Sequence, residues 1–316
     1  MSKFIVSAVQ TSSKLFDTPS TIEVFEEKVR KTKSYGADLV VFPEAFIGGY
    51  PKGIDFGVRV GTRSSEGREE FRQYFNSAIE RESKELKQIL SIVEDANVNV
   101  VLGIIERDGG TLYCSSVTLG RNAEILSWHR KLMPTAMEKV IWGQGDGSTM
   151  NVAHSDIGHI SMAICWENYM PLYRAHLYNQ QTQIHCTPTV DDRDVWLPTL
   201  QTIALEGRCF VVSACQYMTV GDVKAEWYKP IQGNGASTVL IRGGSCIVSP
   251  MGEVLVPPVF NEDTIIYTEI DLEDITRAKF DLDISGHYSR PDVFNLNVNT
   301  TSDLRSDSLP LSSRVI

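Results

Sequence analysis

The sequence has no long uninterrupted run of apolar residues and no long run of basic residues. A membrane-spanning helix needs about 18 to 20 mostly apolar residues in succession, so we predict no membrane span. Proteins that bind nucleic acids neutralise phosphates with clustered Lys and Arg. The densest basic stretch here, KVRKTK at 28–33, directly follows two glutamates, and the net charge is −10. We therefore expect no nucleic-acid partner.

Cys-X-X-Cys pairs and histidine clusters are also missing. The six cysteines are scattered, most of them in strand-like runs: Cys114, Cys165, Cys186, Cys209, Cys215 and Cys246. This usage is typical of reduced thiols, and the N-terminus, MSKFIVSAVQ, lacks the apolar core of a signal peptide. We therefore predict a cytoplasmic protein. His154 and His159 are near neighbours without further metal-ligating partners, so we expect no metal site.

What the chain of 316 residues does contain is an alternation of strand-like and helix-like segments. KFIVSAVQ (3–10) predicts a strand, and a helix follows, with Pro19 in its first turn and Gly36 at its end. Helical patterns fill 66–96, and a strand pair joined by Asp-Gly-Gly comes next. Later strands follow one another as hairpins. The pattern predicts an α/β fold with mixed sheets in layers, formed by one domain over 1–298, and a polar, mobile or partner-binding tail over 299–316.

The stretch AICWENYMPLYRAHLY (163–178) raises the question of function. Alternating residues predict a strand that ends at Cys165, and Pro171 opens a helix. Most cysteines are small core residues, which is the simplest interpretation of Cys165. The alternative is a nucleophile whose pKa is lowered by the dipole of the following helix.

Two further polar residues are in the same situation as Cys165. Glu44 follows the apolar run DLVVFP, and Lys131 follows EILSWHR. Ligands of α/β sheets gather outside the carboxyl ends of the strands. A thiol, an ammonium group and a carboxylate would supply a nucleophile, a cation and a proton carrier. Each could equally be a core or surface residue, and spacing alone does not establish that they converge.

Four segments resemble the hallmark segments of the nitrilases, the nitrile-hydrolysing branch of the carbon–nitrogen hydrolase superfamily: VVFPEAFIGGYPKG, HRKLMPTAMEKVIWGQGDGS, ICWENYMPLYRAHLY and GHYSRPD. The resemblance runs in order from Phe4 to Asn297 and is greatest to plant-type and fungal nitrilases. It implies a four-layer α-β-β-α sandwich and catalysis without cofactor or metal. It also implies homodimers that pair through helices beside the active site, or larger spirals, with Tyr173, His176 and Leu177 as candidate contacts.

The same resemblance implies roles for individual residues. The Glu–Lys–Cys triad of the family corresponds to Glu44, Lys131 and Cys165, and a second glutamate corresponds to Glu138, which could otherwise be a helix-surface charge. The implied substrate-binding residues are Tyr50, Trp166, Glu167, Thr187, Pro188 and Trp196. Trp142 is either a wall of the pocket or a core residue. CTPTVDDRDVW departs from the usual family form, so we expect Cys186 to alter the pocket.

The implied reaction is hydrolysis of an organic nitrile to a carboxylic acid and ammonia through a thioimidate and a thioester on Cys165. An amidase, a carbamoylase or a cyanide hydratase would use the same three groups, and only the products distinguish them. A non-catalytic binding protein on this scaffold would lack one of the three, and here none is missing. The preferred nitrile is not predicted.

Overall fold

The computed structural model describes residues 3–223 and 232–302. The strands in these residues are β1 (Lys3–Gln10), β2 (Leu39–Val41), β3 (Asn99–Asp108), β4 (Thr111–Leu119), β5 (Ile125–Arg130), β6 (Ala153–Ser155), β7 (Gly158–Met162), β8 (Ile184–Thr189), β9 (Phe210–Cys215), β10 (Tyr217–Thr219), β11 (Val239–Val248), β12 (Val254–Phe260) and β13 (Thr264–Asp271). The α-helices are α1 (Thr18–Ser34), α2 (Ser65–Ser77), α3 (Lys84–Ala96), α4 (Pro171–Asn179), α5 (Trp196–Gly207) and α6 (Glu273–Ala278).

The strands form two mixed sheets. The first has the order β13-β1-β2-β3-β4-β5, in which β1, β2 and β3 are parallel and the flanking strands antiparallel. The second has the order β10-β11-β9-β8-β7-β6, with β12 on β11 and a parallel centre of β7, β8 and β9. Parallel strands need covering on both faces, and the prediction of mixed sheets in layers is confirmed.

The two sheets pack face to face. Val6 and Ala8 of β1 share a core with Ile160 of β7 and Ile184 of β8. The opposite face of the first sheet carries α1 and α3, and the opposite face of the second carries α5. Alternate residues of each strand therefore point to a helix layer or to the other sheet. This is the α-β-β-α sandwich that the resemblance to the nitrilases implied.

Local signals set the helix ends. Asp17 caps α1 by accepting a hydrogen bond from the N–H of Ser20, and Pro19 occupies the first turn. Gly36 follows the helix with φ of 79°, in the left-handed region that glycine adopts readily. The strand predicted to end at Pro43-Glu44 is shorter than expected, because β2 ends at Val41 and Pro43 has no N–H to donate to a ladder. In the predicted tail, 303–316 lies outside the described residues.

Candidate active site

The three polar residues predicted to act together do meet. Glu44 lies three residues after β2, Lys131 directly follows β5, and Cys165 lies three residues after β7. The Nζ of Lys131 is 2.6 Å from the Oε1 of Glu44, and the thiol of Cys165 lies close enough to the same carboxyl group for each to shift the pKa of the other. All three side chains are buried. The first two strands belong to one sheet and the third to the other, so the packing of the sheets brings the groups together.

The ammonium group of Lys131 lies between two carboxylates. Its Nζ donates to Glu44 at 2.6 Å and to the Oε2 of Glu138 at 2.8 Å. Burial by itself would lower the pKa of Lys131, but Glu44 and the other anionic neighbours raise it well above its ordinary value. Lys131 is therefore a fixed positive charge at neutral pH.

The carboxyl group of Glu44 is suited to carry a proton. Burial raises its pKa to about 7, although the charge of Lys131 opposes the shift. Its Oε1 accepts the hydrogen bond from Lys131, whereas its Oε2 is buried without a partner of normal geometry in the described chain. The backbone is held too, because Gln216 donates from Nε2 to the carbonyl oxygen of Glu44 at 2.8 Å. A rigid carboxylate with a free oxygen and a near-neutral pKa can accept and return a proton.

Cys165 does not end the preceding strand as predicted. β7 ends at Met162, and Cys165 opens a 3-10 helix over Cys165–Tyr169 with φ of 50°. This left-handed conformation is uncommon for a residue with a side chain. Asn168 holds the turn by donating from Nδ2 to the carbonyl oxygens of Cys165 at 2.8 Å and Ala163 at 2.9 Å.

The resting thiol of Cys165 is protonated. Burial raises its pKa, and the negative charge of Glu44 adds to the shift, while Lys131 and the hydroxyl of Thr189 oppose it. The alternative of a pKa lowered by the dipole of the following helix does not describe this site, because α4 begins only at Pro171 and because desolvation and Glu44 raise the pKa. The sulfur therefore needs a base to remove its proton, and Glu44 is the neighbouring base.

Glu138 belongs to the cluster and is no surface charge. It lies in a 3-10 helix over Ala136–Val140, where its Oε2 accepts hydrogen bonds from Lys131 and from the N–H of Thr135. Its Oε1 accepts the hydroxyl of Tyr50 at 2.9 Å. Tyr50 and Trp142 pack edge to face at 5.8 Å, and Lys131 lies over the same Trp142 ring. Glu138 is thus oriented by three donors, and Trp142 is both buried and part of the site wall.

An open cavity of about 290 Å³ lies outside this wall. Its lining comes from two chain segments, 50–56 and 135–142, and includes Tyr50, Glu138 and Trp142. Within 3–223 and 232–302, no group of three or more His, Cys, Asp or Glu is arranged to hold a metal ion. The helices of this same part of the chain are all too short or too polar to span a bilayer.

The comparisons with known proteins agree with this geometry. Residues 5–280 match the model of the family described as carbon-nitrogen hydrolase. The chain belongs to the carbon–nitrogen hydrolase family. A nitrilase of Bradyrhizobium diazoefficiens is 53% identical over 86% of this chain and 84% of its own length. An arylacetonitrilase of Trametes versicolor is 47% identical over 92% and 95%, and Nitrilase 2 of Arabidopsis thaliana 45% over 92% and 87%. The nitrilase branch, with its plant and fungal members, is therefore confirmed.

The fold has solved counterparts among distant sequences. The NitFhit protein of C. elegans superposes with a TM-score of 0.73 at 15% identity, over 95% of this chain and 68% of that one. Identity at this level establishes the fold alone. The sandwich expected for a nitrilase is therefore confirmed from sequence relatives and from structure independently.

Trp166 is the predicted substrate-binding residue that faces solvent, with 42% of its surface exposed. Its Nε1 donates to the Oδ2 of Asp191 at 2.8 Å, and the guanidinium of Arg193 lies 4.9 Å above its ring. Arg193 also pairs with Asp191. These two partners were missed in the sequence, because nothing in DDRD indicates contact with a residue 25 positions earlier.

The structure places two predicted pocket residues elsewhere. Glu167 is buried, and its carboxylate accepts from the N–H groups of Leu132 and Ile164, both at 2.7 Å, so no oxygen is left open to a substrate. Trp196 lies in the core between α5 and the second sheet, where its Nε1 donates to Ser213 at 3.0 Å. A Trp side chain buries a large apolar surface in the core, provided that its N–H finds a partner there, as it does here in the Ser213 hydroxyl.

The structure of strand β8 also differs from the prediction that Thr187 and Pro188 bind substrate and that Cys186 alters the pocket. Thr187 and Pro188 are both buried within it, and the Thr187 hydroxyl has no hydrogen-bond partner in the described residues. Cys186 points into the core between the sheets and so does not line the pocket. The β8 residue beside Cys165 is Thr189, whose hydroxyl acts to lower the pKa of the Cys165 thiol. Because the strand period is two, Thr189 shares a face with Thr187, and this spacing could have indicated it.

Proposed function

We propose that the chain hydrolyses an organic nitrile to a carboxylic acid and ammonia, with Cys165 as nucleophile, Glu44 as proton carrier and Lys131 as the fixed positive charge. One observation carries the proposal: the buried contact of 2.6 Å between Lys131 and Glu44, beside the protonated Cys165 thiol. A thiol with a raised pKa is inert alone. Next to a carboxylate whose pKa is about 7, it can lose its proton when a substrate arrives.

The first half of the reaction forms a bond between sulfur and carbon. Glu44 accepts the thiol proton as the sulfur attacks the nitrile carbon, and the proton passes to the nitrogen to give a thioimidate. Water then adds, with Glu44 as the base, and produces a tetrahedral intermediate. Collapse of this intermediate releases ammonia and leaves a thioester on Cys165. The near-neutral pKa of Glu44 suits it to act in turn as base and acid.

The second half repeats the addition of water. A second water attacks the thioester carbon, and its proton goes by way of Glu44 to the departing sulfur, so that the carboxylic acid and the free thiol are restored. Lys131 stabilises the negative charge of each tetrahedral intermediate. The N–H of Trp166 is the second donor. Asn168 holds the carbonyl of Cys165, and a planar trans peptide directs the following N–H to the opposite side.

Glu138 orients Lys131 and an attacking water. Its two oxygens already accept hydrogen bonds from Lys131, Thr135 and Tyr50, so it has little capacity to take up a proton from the substrate. Its separate contact with Tyr50 ties the loop 50–56 to the cluster. A nitrile side chain held in the adjoining cavity of about 290 Å³ would meet this wall. Trp166 would contact the substrate from the solvent side.

The decisive experiment supplies the purified protein with a panel of aliphatic, aromatic and arylacetonitrile substrates and measures ammonia, acid and amide. We expect equimolar ammonia and acid from at least one nitrile, and none from Cys165→Ala. Amide as the main product would indicate hydratase behaviour. Turnover of amides with no turnover of nitriles would replace the proposal with an amidase or carbamoylase.

A homo-oligomer is part of the proposal. Tyr173 and Leu177, named above as contacts, are buried against Met150, Val152 and Ala163 of the same chain, so they cannot meet a second copy. The third, His176, is half-buried with its Nε2 3.2 Å from the carbonyl oxygen of Met150. The same helix, α4, leaves Leu172 70% exposed, and Tyr169 just before it is also exposed. Apolar side chains that remain on one face of a helix need cover. A two-fold contact would place this patch against itself.

A cytoplasmic location is likewise a proposal. It rests on the six cysteines, all of which are free thiols buried in the protein. Chains that fold in oxidising compartments usually pair their cysteines.

A further inference from the structure

One buried carboxylate joins the two backbone segments that carry the nucleophile and the lysine. The Oε2 of Glu167 accepts a hydrogen bond of 2.7 Å from the N–H of Ile164, the residue before Cys165. Its Oε1 accepts one of 2.7 Å from the N–H of Leu132, the residue after Lys131. These segments follow strands of different sheets. No β-ladder therefore joins the two segments, and Glu167 connects them directly.

A second layer of contacts holds Glu167 in place. The Nε2 of His129, on β5, lies 3.0 and 3.1 Å from the two carboxylate oxygens, and its Nδ1 is 3.1 Å from the hydroxyl of Thr149. The hydroxyl of Tyr173 is 3.2 Å from the same Nε2 and donates to the carbonyl oxygen of Met162 at 3.0 Å. Met162 ends the strand that leads to the nucleophile. The network thus connects both catalytic segments through the buried side chains of His129, Glu167 and Tyr173.

The bridge requires two acceptors, which only the ionised carboxylate provides. Burial would raise the pKa of Glu167, but His129 and the two backbone N–H donors outweigh it and hold the pKa below its ordinary value. Glu167 is therefore an anion with both oxygens occupied. An amide of the same size has one oxygen and one NH₂ group, so it would confront one of the two backbone N–H groups with another donor.

We infer that Glu167 is a positioning residue, which sets the separation between the Cys165 sulfur and the Lys131 ammonium group. The inference rests on the proposed roles of Cys165 and Lys131. Glu167 touches neither the substrate nor the reacting atoms, and it acts through the two amide groups that it holds. A misplacement of about 1 Å in a catalytic group can reduce turnover about 100-fold.

The test is Glu167→Gln in the full-length protein. We expect kcat to fall about 100-fold while KM changes less than about threefold, because the substrate wall stays in place. We also expect the acidic limb of kcat/KM to move to higher pH. Lys131 lowers the pKa of Glu44, so a displaced Lys131 would let that pKa rise. Loss of stability alone would move neither quantity once rates are expressed per titrated active site.

Glu106→Gln is the matched control. Glu106 is as buried as Glu167 and also accepts several hydrogen bonds, but they come from the side chains of Arg130, Ser115 and Trp128. None of them comes from the backbone N–H of a residue next to Cys165 or Lys131, which is what distinguishes Glu167. We expect this variant to lower Tm and to keep kcat within about threefold. Active sites are counted by mass spectrometry as Cys165 alkylated by iodoacetamide. Wild-type kcat and an unmoved pH profile in Glu167→Gln would overturn the inference.

A replacement variant and the activity of the wild type distinguish failure of the positioning role from failure of the proposed function. If Glu167→Gln does not fold, His129→Gln replaces it, since it leaves both backbone contacts and loosens only their support. We then expect a kcat about 10-fold lower with KM within about threefold, and an unchanged kcat would overturn the inference. Failure of the wild-type protein to hydrolyse any nitrile would refute the proposed function itself. An active wild type with an equally active Glu167→Gln would refute the positioning role alone.

Discussion

Two buried clusters in this protein use the same kinds of side chain for different ends. In the first, Glu106 accepts hydrogen bonds at both oxygens: three reach Oε2, from Ser115, Trp128 and Arg130, and Oε1 accepts from Arg130 and Arg81. Burial would raise its pKa, yet these donors lower it. In the second cluster, Glu44 keeps one buried oxygen without a partner, and its pKa rises to about 7.

The difference shows how a buried carboxylate is made reactive or inert. A fully satisfied anion has no reason to take up a proton and serves the fold. A carboxylate that is desolvated but left one donor short can exchange a proton near neutral pH. Burial and residue type are equal in the two clusters, so the number and placement of donors decide the role. The predictions that follow test this contrast.

The largest effect is expected from removing the thiol beside Glu44. Cys165→Ala should reduce nitrile turnover at least about 10⁴-fold, because nothing else supplies the covalent step. Far-ultraviolet circular dichroism should be unchanged. The matched control is Cys246→Ala, a buried thiol in the core against α5, which should lower Tm and leave kcat nearly intact. Turnover by a folded Cys165→Ala protein would rule out the mechanism.

Next in size are the charged groups of the reactive cluster. Glu44→Gln should reduce kcat about 10²- to 10⁴-fold by removing proton transfer, and Lys131→Ala about 10²-fold or more by removing charge stabilisation. The double variant should lose less than the product of the single losses, since the two groups act as a unit. Steady-state kinetics on all three variants measures this. Losses that multiply would mean that one group works independently.

The pH dependence distinguishes the two carboxylates. Glu44 acts as a base only when ionised, and its pKa is about 7. We therefore expect kcat/KM to fall as the pH drops through about 7, with one proton taken up. Glu106, whose pKa is lowered, stays ionised throughout this range and contributes nothing. An acidic limb near the ordinary glutamate value would contradict the raised pKa.

Glu106→Gln should reduce stability more than Glu44→Gln does, which is the opposite of their expected order for activity. Glu106→Gln leaves buried donors of Arg130 or Trp128 poorly matched, and we expect a loss of about 1–3 kcal/mol in the free energy of unfolding. Glu44→Gln should cost less, because it removes a desolvated charge while Glu138 remains as a partner for Lys131. Urea denaturation of the two variants tests this. A larger loss for Glu44→Gln would contradict the contrast between the clusters.

The smallest effect on either cluster is expected at the exposed face of α4. Leu172→Asp places a charge on the patch proposed to contact a second copy, and it should lower the mass measured by light scattering at micromolar concentration. His154→Asp serves as the surface control, because His154 is exposed and lies on β6 rather than on α4. If the wild type is a fully active monomer, the proposed oligomer is wrong.

The sequence by itself determined most of the elements, the layered class and the three residues that are proposed as the reactive groups. Residues at helix ends such as Pro19 and Gly36 are local signals, and strand periodicity is local as well. Resemblance in ordered segments named Glu44, Lys131 and Cys165 without any coordinates. These features depend on neighbours along the chain, which is why they could be predicted.

Only the tertiary structure decided the contacts between segments that are distant in sequence. It brought Thr189 close to Cys165, and it placed Cys186 and Trp196 in the core. It also gave Glu167 a bridge between two sheets where a substrate contact was expected. The pKa of Cys165 likewise follows from burial and from Glu44 rather than from the next helix. Desolvation and hydrogen-bond geometry arise when sheets pack, and no spacing along the chain encodes them.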